Sequence, residues 1–323
     1  MQPTIYQAGH GARFSRLACS LAVAATLASA GGFAWAQDKP ISPVIKINEA
    51  AAVTPITVDP LRGGLSMLSG SGGNITVLAG KEGKLLVDAG IAVSRPRVEA
   101  AIDKLGPGKI KVLINTHYHW DHTDGNKWVS ESKPTIYGQT NTLKRVGETV
   151  RVDDWDFTFD PLPASARPTV AFEKDKTITF EGTKVEMKNF GHGHTDSDIW
   201  VYFPKADVLV LGDIFWNGVY PFIDNENGGG INTAILWADK ALKQAGPKTI
   251  VVPGHGPVGN RQQLQDWRNM LVAIRDNVQA LKKQGKSREA IIAAKPTAKY
   301  DAQYGAFVID PDFFTRLVYD GLK

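Results

Sequence analysis

The chain has 323 residues, with 37 lysines and arginines against 33 acids and a formal charge of +4. That near balance, with no long basic run, excludes nucleic acid as the main partner. A single cysteine excludes an intramolecular disulfide and a thiolate cluster.

Residues 1–36 read as an export signal. Arg13 and Arg16 form its basic part, Leu17 to Ala30 is apolar and small, and Ala34-Trp35-Ala36 is a cleavage site that places the mature start at Gln37. The apolar run is short and rich in Ala and Ser, which argues against a permanent membrane span. The two arginines are not adjacent, so a twin-arginine signal is not supported, and Cys19 lies too early for lipid attachment. The expected location is the periplasm or the exterior, with no membrane anchor after cleavage. Removing the leader takes away the cysteine and two positive charges, leaving +2.

The rest is long enough to bury one sizeable core. Residues 37–60, with four prolines, read as an extended lead-in, and residues 61–323 as a single domain with C-terminal helices. Strand hairpins are expected from about 65 to 90. A helix follows at 94–105, with Ser94 as cap, Val98, Ala101, Ile102 and Leu105 on one face, and Gly106-Pro107-Gly108 as stop. A second hairpin spans about 177–190 across Glu181-Gly182, and a helix at about 233–245 ends at Gly246-Pro247. The clearest helix is Arg261 to Lys283. Leu264, Trp267, Leu271, Ile274, Val278 and Leu281 repeat at three and four, Asn260 can cap it, and Gly285 closes it. Asp310-Pro311 opens a short terminal helix. The pattern alone allows α/β or α+β.

The densest chemistry is Thr116-His117-Tyr118-His119-Trp120-Asp121-His122, which holds three of the seven histidines. His117 and His119 are two apart, so an extended segment points both rings to one side. Asp121 and His122 follow in a turn and can serve a second ion. His194, Asp213 and His255 each follow a short apolar run of strand character, so four strand ends deliver ligands to one sheet edge. Imidazole and carboxylate together suit zinc.

These segments resemble the metallo-β-lactamase superfamily. His-x-His-x-Asp-His matches residues 117–122, Gly-His-Thr matches 193–195, Gly-Asp matches 212–213, and Pro-Gly-His-Gly matches 253–256. Gly72-Gly73-Asn74 and Leu85 to Gly90 look like that family's opening hairpins. The resemblance covers about residues 62–272. It implies an α+β fold, a four-layer αβ/βα sandwich. It also implies two Zn²⁺, the first held by His117, His119 and His194, the second by Asp121, His122 and His255, with Asp213 bridging. Two such ions, about 3.5–4 Å apart, lower the pKa of a shared water, and the hydroxide attacks a carbonyl. Asp121 is the expected catalytic residue, orienting that nucleophile.

The implied function is a periplasmic zinc hydrolase that opens a β-lactam or similar cyclic amide or ester, with a small molecule as its partner. Asp213 stands where antibiotic-hydrolysing relatives commonly carry cysteine or serine, which keeps a lactonase or thioesterase open. Thr195 to Val201, with Asp198, resembles the lactamase segment after the third histidine. An iron-dependent oxygenase and a non-catalytic metal binder are the other classes, and seven ligands favour two ions over one iron. Trp120, Trp216 and Tyr220 are weak candidates for the substrate wall. Trp155 and Phe157 are read as packing residues that could overhang the site. His192 is expected at the surface or behind the ligands, and Asp88 behind them.

Overall fold

The computed structural model describes residues 42–322, so the export-signal reading lies outside the described residues. The described residues form one compact unit. Its first element corrects the expected lead-in. Residues Pro43–Val53 are a helix, α1, not an extended segment. Pro43 sits in the first turn, where a missing N–H costs nothing, and the Ser42 hydroxyl caps Val44. Pro55 follows the helix instead of breaking it.

The first sheet begins as an antiparallel meander of β1 (Thr57–Pro60), β2 (Leu65–Ser69), β3 (Ile75–Ala79) and β4 (Lys84–Val87). It continues in parallel through β5 (Ile110–Ile114) and β6 (Thr135–Gln139). After the small hairpin β7 (Val150–Val152)–β8 (Phe157–Phe159), β9 (Val170–Phe172) closes it. The second sheet runs β10 (Asp175–Phe180), β11 (Thr183–Lys188), β12 (Trp200–Phe203), β13 (Val208–Trp216), β14 (Ile250–His255) and β15 (Gly259–Asn260). Only β13 and β14 pair in parallel there.

The sheets pack face to face. Leu65, Met67, Val87 and Ile114 of one meet Val185, Val201, Val208, Val210 and Val252 of the other. On β13, Leu209 and Leu211 alternate with Val208 and Val210 and point to the opposite side, into the helices. Both faces of this strand are covered, which is why all nine of its residues are buried.

The outer face of the first sheet carries α2 (Arg95–Asp103) through Val98, Ala101 and Ile102. Ser94 does not cap this helix with its side chain. Its hydroxyl donates instead to the Ile91 carbonyl, and a 3₁₀ turn, Ala92–Ser94, precedes α2. Three short helices follow: α3 (Trp120–Thr123), α4 (Asn126–Val129) and α5 (Thr140–Val146). The second sheet is covered by α6 (Ile231–Gln244) and α7 (Arg261–Lys283), then α8 (Arg288–Ala293), α9 (Asp301–Tyr304) and α10 (Pro311–Gly321). In α7, Leu264, Trp267, Leu271, Ile274 and Val278 form the buried stripe read from the sequence, joined by Met270. Each contributes about 1.5–3 kcal/mol on burial. The Asn260 side chain caps Gln262 and Gln263, and Asp310 caps Phe313. The result is helix, sheet, sheet, helix: an α+β four-layer sandwich.

Candidate metal centre

The carboxyl ends of β4, β5 and β14 and the loop after β11 converge at one edge. His117 and His119 lie in the loop between β5 and α3, while Asp121 and His122 open α3 itself. His194 is in the loop between β11 and β12, and His255 is the last residue of β14. Asp213 is not terminal. It sits inside β13, where the pairing with β14 breaks register around Gly212. Gly212 has φ +53°, and a Cβ there would meet the Thr116 hydroxyl at 2.7 Å. The glycine lets the kinked strand approach the histidine loop closely.

All seven expected ligands are buried, and they form two groups, His117–His119–His194–Asp213 and Asp121–His122–His255. Within each group the donor atoms lie within 4.8 Å of one another. Asp213 faces both. Its Oδ2 is 3.3 Å from His194 Nε2 and 3.7 Å from His117 Nε2, while its Oδ1 is 3.0 Å from His122 Nε2 and 3.5 Å from His255 Nε2. Asp121 Oδ2 is 3.2 Å from His255 Nε2.

Every ring but His255 is fixed from behind. His122 Nδ1 donates to Asp88 at 2.9 Å, His194 Nδ1 to the Phe222 carbonyl at 2.8 Å, and His119 Nε2 to Asp224 at 3.1 Å. His117 Nδ1 meets the Thr116 hydroxyl at 3.0 Å, and that hydroxyl donates to Asp88 at 2.7 Å. These partners leave one nitrogen of each of the four rings aimed inward. The inward atoms His122 Nε2, His255 Nε2 and Asp213 Oδ1 are buried without a hydrogen-bond partner. Three orphaned donor atoms in a buried pocket fit a cation, since leaving them unpaired otherwise costs stability.

Charge follows the same geometry. Burial holds the His117 imidazole well below its usual value and His194 down at about 4, so both are neutral and ready to ligate. Burial also pulls on His255, but the Asp213 and Asp121 carboxylates overcome it and raise the ring to about 9. Asp213 is opposed by burial and nevertheless held well below the carboxylate range by His122, His255 and His117.

The neighbours divide. Trp216 packs on His255 with ring centres 4.0 Å apart, and Trp120 lines the same slot over the ligands. Tyr220 does not. It is fully buried, stacks on Phe314 at 4.7 Å, and donates to Asp301, so it belongs to the helical core. Its position in the loop after Asp213 gave no sign that the chain turns away at Gly218. Trp155 is buried in the core and also lines the slot, while Phe157 lines the adjacent cleft. His192 is exposed, and Asp88 stands behind His122 as described.

Asp224 was not singled out in the sequence. It accepts from His119, from the Tyr118 hydroxyl and from Asn227. Burial pushes its carboxyl up, yet these bonds hold it down at about 2. A lone acid in a loop carries no local signature of that role. Ile47, Phe307 and Val308, which also line the slot, were missed for the same reason.

A family model described as the metallo-beta-lactamase superfamily matches residues 68–271. The chain belongs to the metallo-beta-lactamase superfamily. A linear primary-alkylsulfatase of Pseudomonas sp. is 26% identical over 225 residues, covering 58% of this chain and 42% of that protein. A metallo-beta-lactamase type 2 of Bacillus cereus is 25% identical over 200 residues, 61% of this chain and 72% of that one. A hydroxyacylglutathione hydrolase of Crocosphaera subtropica is 32% identical over 127 residues, 38% and 40% of the two chains. The chain therefore spans about two fifths of the alkylsulfatase and of the hydroxyacylglutathione hydrolase. Among solved structures, the sec-alkylsulfatase Pisa1 of Pseudomonas sp. superposes with a TM-score of 0.61 at 17% identity. That match covers 89% of this chain and 54% of the other, and it shows the shared superfamily fold.

Proposed function

We propose that the protein is a dinuclear zinc hydrolase that opens a β-lactam or similar cyclic amide or ester. The observation that carries this is the division of Asp213 between two donor sets, one oxygen toward His194 and His117, the other toward His122 and His255. Five imidazoles and two carboxylates with no thiolate suit zinc. When bound, a zinc pair supplies Lewis acidity, lowering the pKa of water toward neutrality and polarising a carbonyl. His117, His119 and His194 would hold one ion, and Asp121, His122 and His255 the other. Asp121 has a second task, to orient the attacking water and accept its proton. Asp88, Asp224 and the Phe222 carbonyl keep the rings in the ligating tautomer. The relatives' names, all hydrolases, support the reaction class.

One observation favours a second reading, a lactonase or thioesterase. No lysine or arginine is among the residues that line the slot, so a substrate carboxylate has no side-chain cation to meet there away from the metal centre. We further propose a small-molecule substrate and export, with residues 1–36 removed. Among the described residues, no helix is long and apolar enough to cross a membrane.

Elemental analysis of zinc-loaded protein, followed by a panel of a chromogenic cephalosporin, a lactone and a thioester, tests the proposal. Two zinc ions per chain and turnover of a cyclic substrate are expected. A plateau at one ion, or a preference for iron, defeats the dinuclear-zinc assignment. Mass spectrometry of the purified protein reads the N-terminus, and an intact Met1 in active cytoplasmic protein defeats export.

A further inference from the structure

The floor of the slot is the metal centre, but its roof comes from segments outside the matched residues 68–271. Ile47 belongs to α1, and Phe307 and Val308 belong to the stretch between α9 and α10. Both segments are fastened. Ser42 donates to the Trp155 carbonyl at 2.5 Å, Val44 is fully buried, and Arg97 donates to the carbonyls of Ala51 and Thr54 at the far end of α1. The second stretch is pinned on either side by buried Tyr304 and Ile309, with the Tyr220 amide bonded to the Tyr304 carbonyl at 2.9 Å. Between these pins Phe307 and Val308 stay 44% and 38% exposed, although both are apolar. The Phe307 ring stands 6.1 Å from His255 and 6.1 Å from Trp216, above the ligands themselves.

The walls below are Trp155, Trp216 and Phe222, and the cavity is about 50 Å³. That is small beside the roughly 300–1,000 Å³ of ordinary ligand pockets. A substrate can therefore send only a narrow reactive part to the floor, and its adjoining atoms must lie along the apolar rim. Two large apolar side chains held in water above a metal centre gain burial only when something apolar covers them.

We propose that Ile47, Phe307 and Val308 form a specificity roof that selects substrates with an uncharged, apolar group beside the scissile bond. This rests on the hydrolase reading of the same site and names the substrate class within it. Alkyl-substituted lactones or thioesters of aliphatic acids have the right chemistry. A substrate with a carboxylate at that point does not, because desolvating the charge against this rim is uncompensated.

The test reads binding, so it is separate from turnover. N-ethyl-, N-butyl- and N-hexylpyrrolidinone are stable, uncharged cyclic amides. Each is titrated into the zinc-loaded full chain while tryptophan fluorescence is followed, and N-(5-carboxypentyl)pyrrolidinone, whose carboxylate lies at the far end of the alkyl chain and away from the zinc, serves as the charged counterpart. Affinity should rise roughly three- to fourfold per added methylene, and the carboxypentyl compound should bind more weakly than N-hexylpyrrolidinone, because its charge is desolvated against the rim. Phe307→Ala and Ile47→Ser should flatten the chain-length series, while Phe307→Leu retains it. Zinc content, measured for every variant, should match the parent and shows that the metal centre still forms. A flat series in the parent, binding of the carboxypentyl compound as tight as that of N-hexylpyrrolidinone, or an unaltered series in both variants overturns the roof. A correct series with no turnover of any panel substrate would instead overturn the hydrolase reading and leave the roof standing.

Discussion

Asp88→Asn isolates the contribution of a residue that touches no expected ligand atom on its inward side. The Asp88 carboxylate accepts from the Thr116 amide at 2.8 Å, the Thr116 hydroxyl at 2.7 Å and His122 Nδ1 at 2.9 Å. It is buried and sits at φ +63°. Asparagine tolerates that left-handed backbone where alanine would add strain, so the substitution removes charge and acceptor capacity and little else. One amide oxygen cannot replace two carboxylate oxygens, and the amide N–H₂ faces a donor. Whichever way the amide turns, either His122 or the Thr116 amide loses its acceptor, and the negative charge that holds the proton on His122 Nδ1 is gone. A change of this kind typically costs about 10–100-fold in metal affinity, equivalent to about 1.4–2.7 kcal/mol. The loss should fall more heavily on the ion held by Asp121, His122 and His255, because the substitution reaches the other ion only indirectly, through Thr116 and His117. His119 and His194 are fixed by Asp224 and the Phe222 carbonyl, which the substitution leaves alone. Competition titration against a chromophoric chelator resolves the two affinities. Equal weakening of both ions, or a weaker ion within twofold of the parent, would refute the claim that Asp88 acts through His122.

Asp121→Ala should lower kcat far more than it raises KM, because the residue acts on the water and the second ion instead of on the bound substrate; steady-state kinetics on the best panel substrate decides it. Gly254→Ala should strip at least one zinc ion, since a Cβ there would stand 2.0 Å from Asp213 Oδ1 and 2.7 Å from the Gly212 carbonyl carbon; elemental analysis after gel filtration reads the loss. Tyr220→Phe should leave KM unchanged and cost about 1 kcal/mol of stability in urea denaturation, because its hydroxyl bonds Asp301 at 2.8 Å in the helical core.

The donor set was legible in the sequence because metal-binding residue types are rare and came in short runs. His117, His119, Asp121 and His122 share one loop and the helix start after it, so local geometry alone nearly decides their proximity. The stripe of α7 and its Asn260 cap were legible for a similar reason: helical periodicity and capping are local properties. The helix at Pro43–Val53 is hidden by its prolines, which signal a break only inside a helix, whereas Pro43 at the start and Pro55 beyond the end are compatible with one. Tyr220 was misplaced because nearness to Asp213 in the chain was taken for nearness in space.

What the sequence determined by itself, then, was which atoms could bind a metal and where the long helix α7 begins and ends. These depend on residue type and on spacings of a few positions. The tertiary structure alone decided which oxygen of Asp213 faces which histidines, and that Asp224, 105 positions further along the chain, would lock His119. It alone placed Ile47 and Phe307 over the same slot although 260 positions separate them. Such pairings are set by the packing of two sheets and the helices outside them, a long-range arrangement of which no short window of sequence carries a trace.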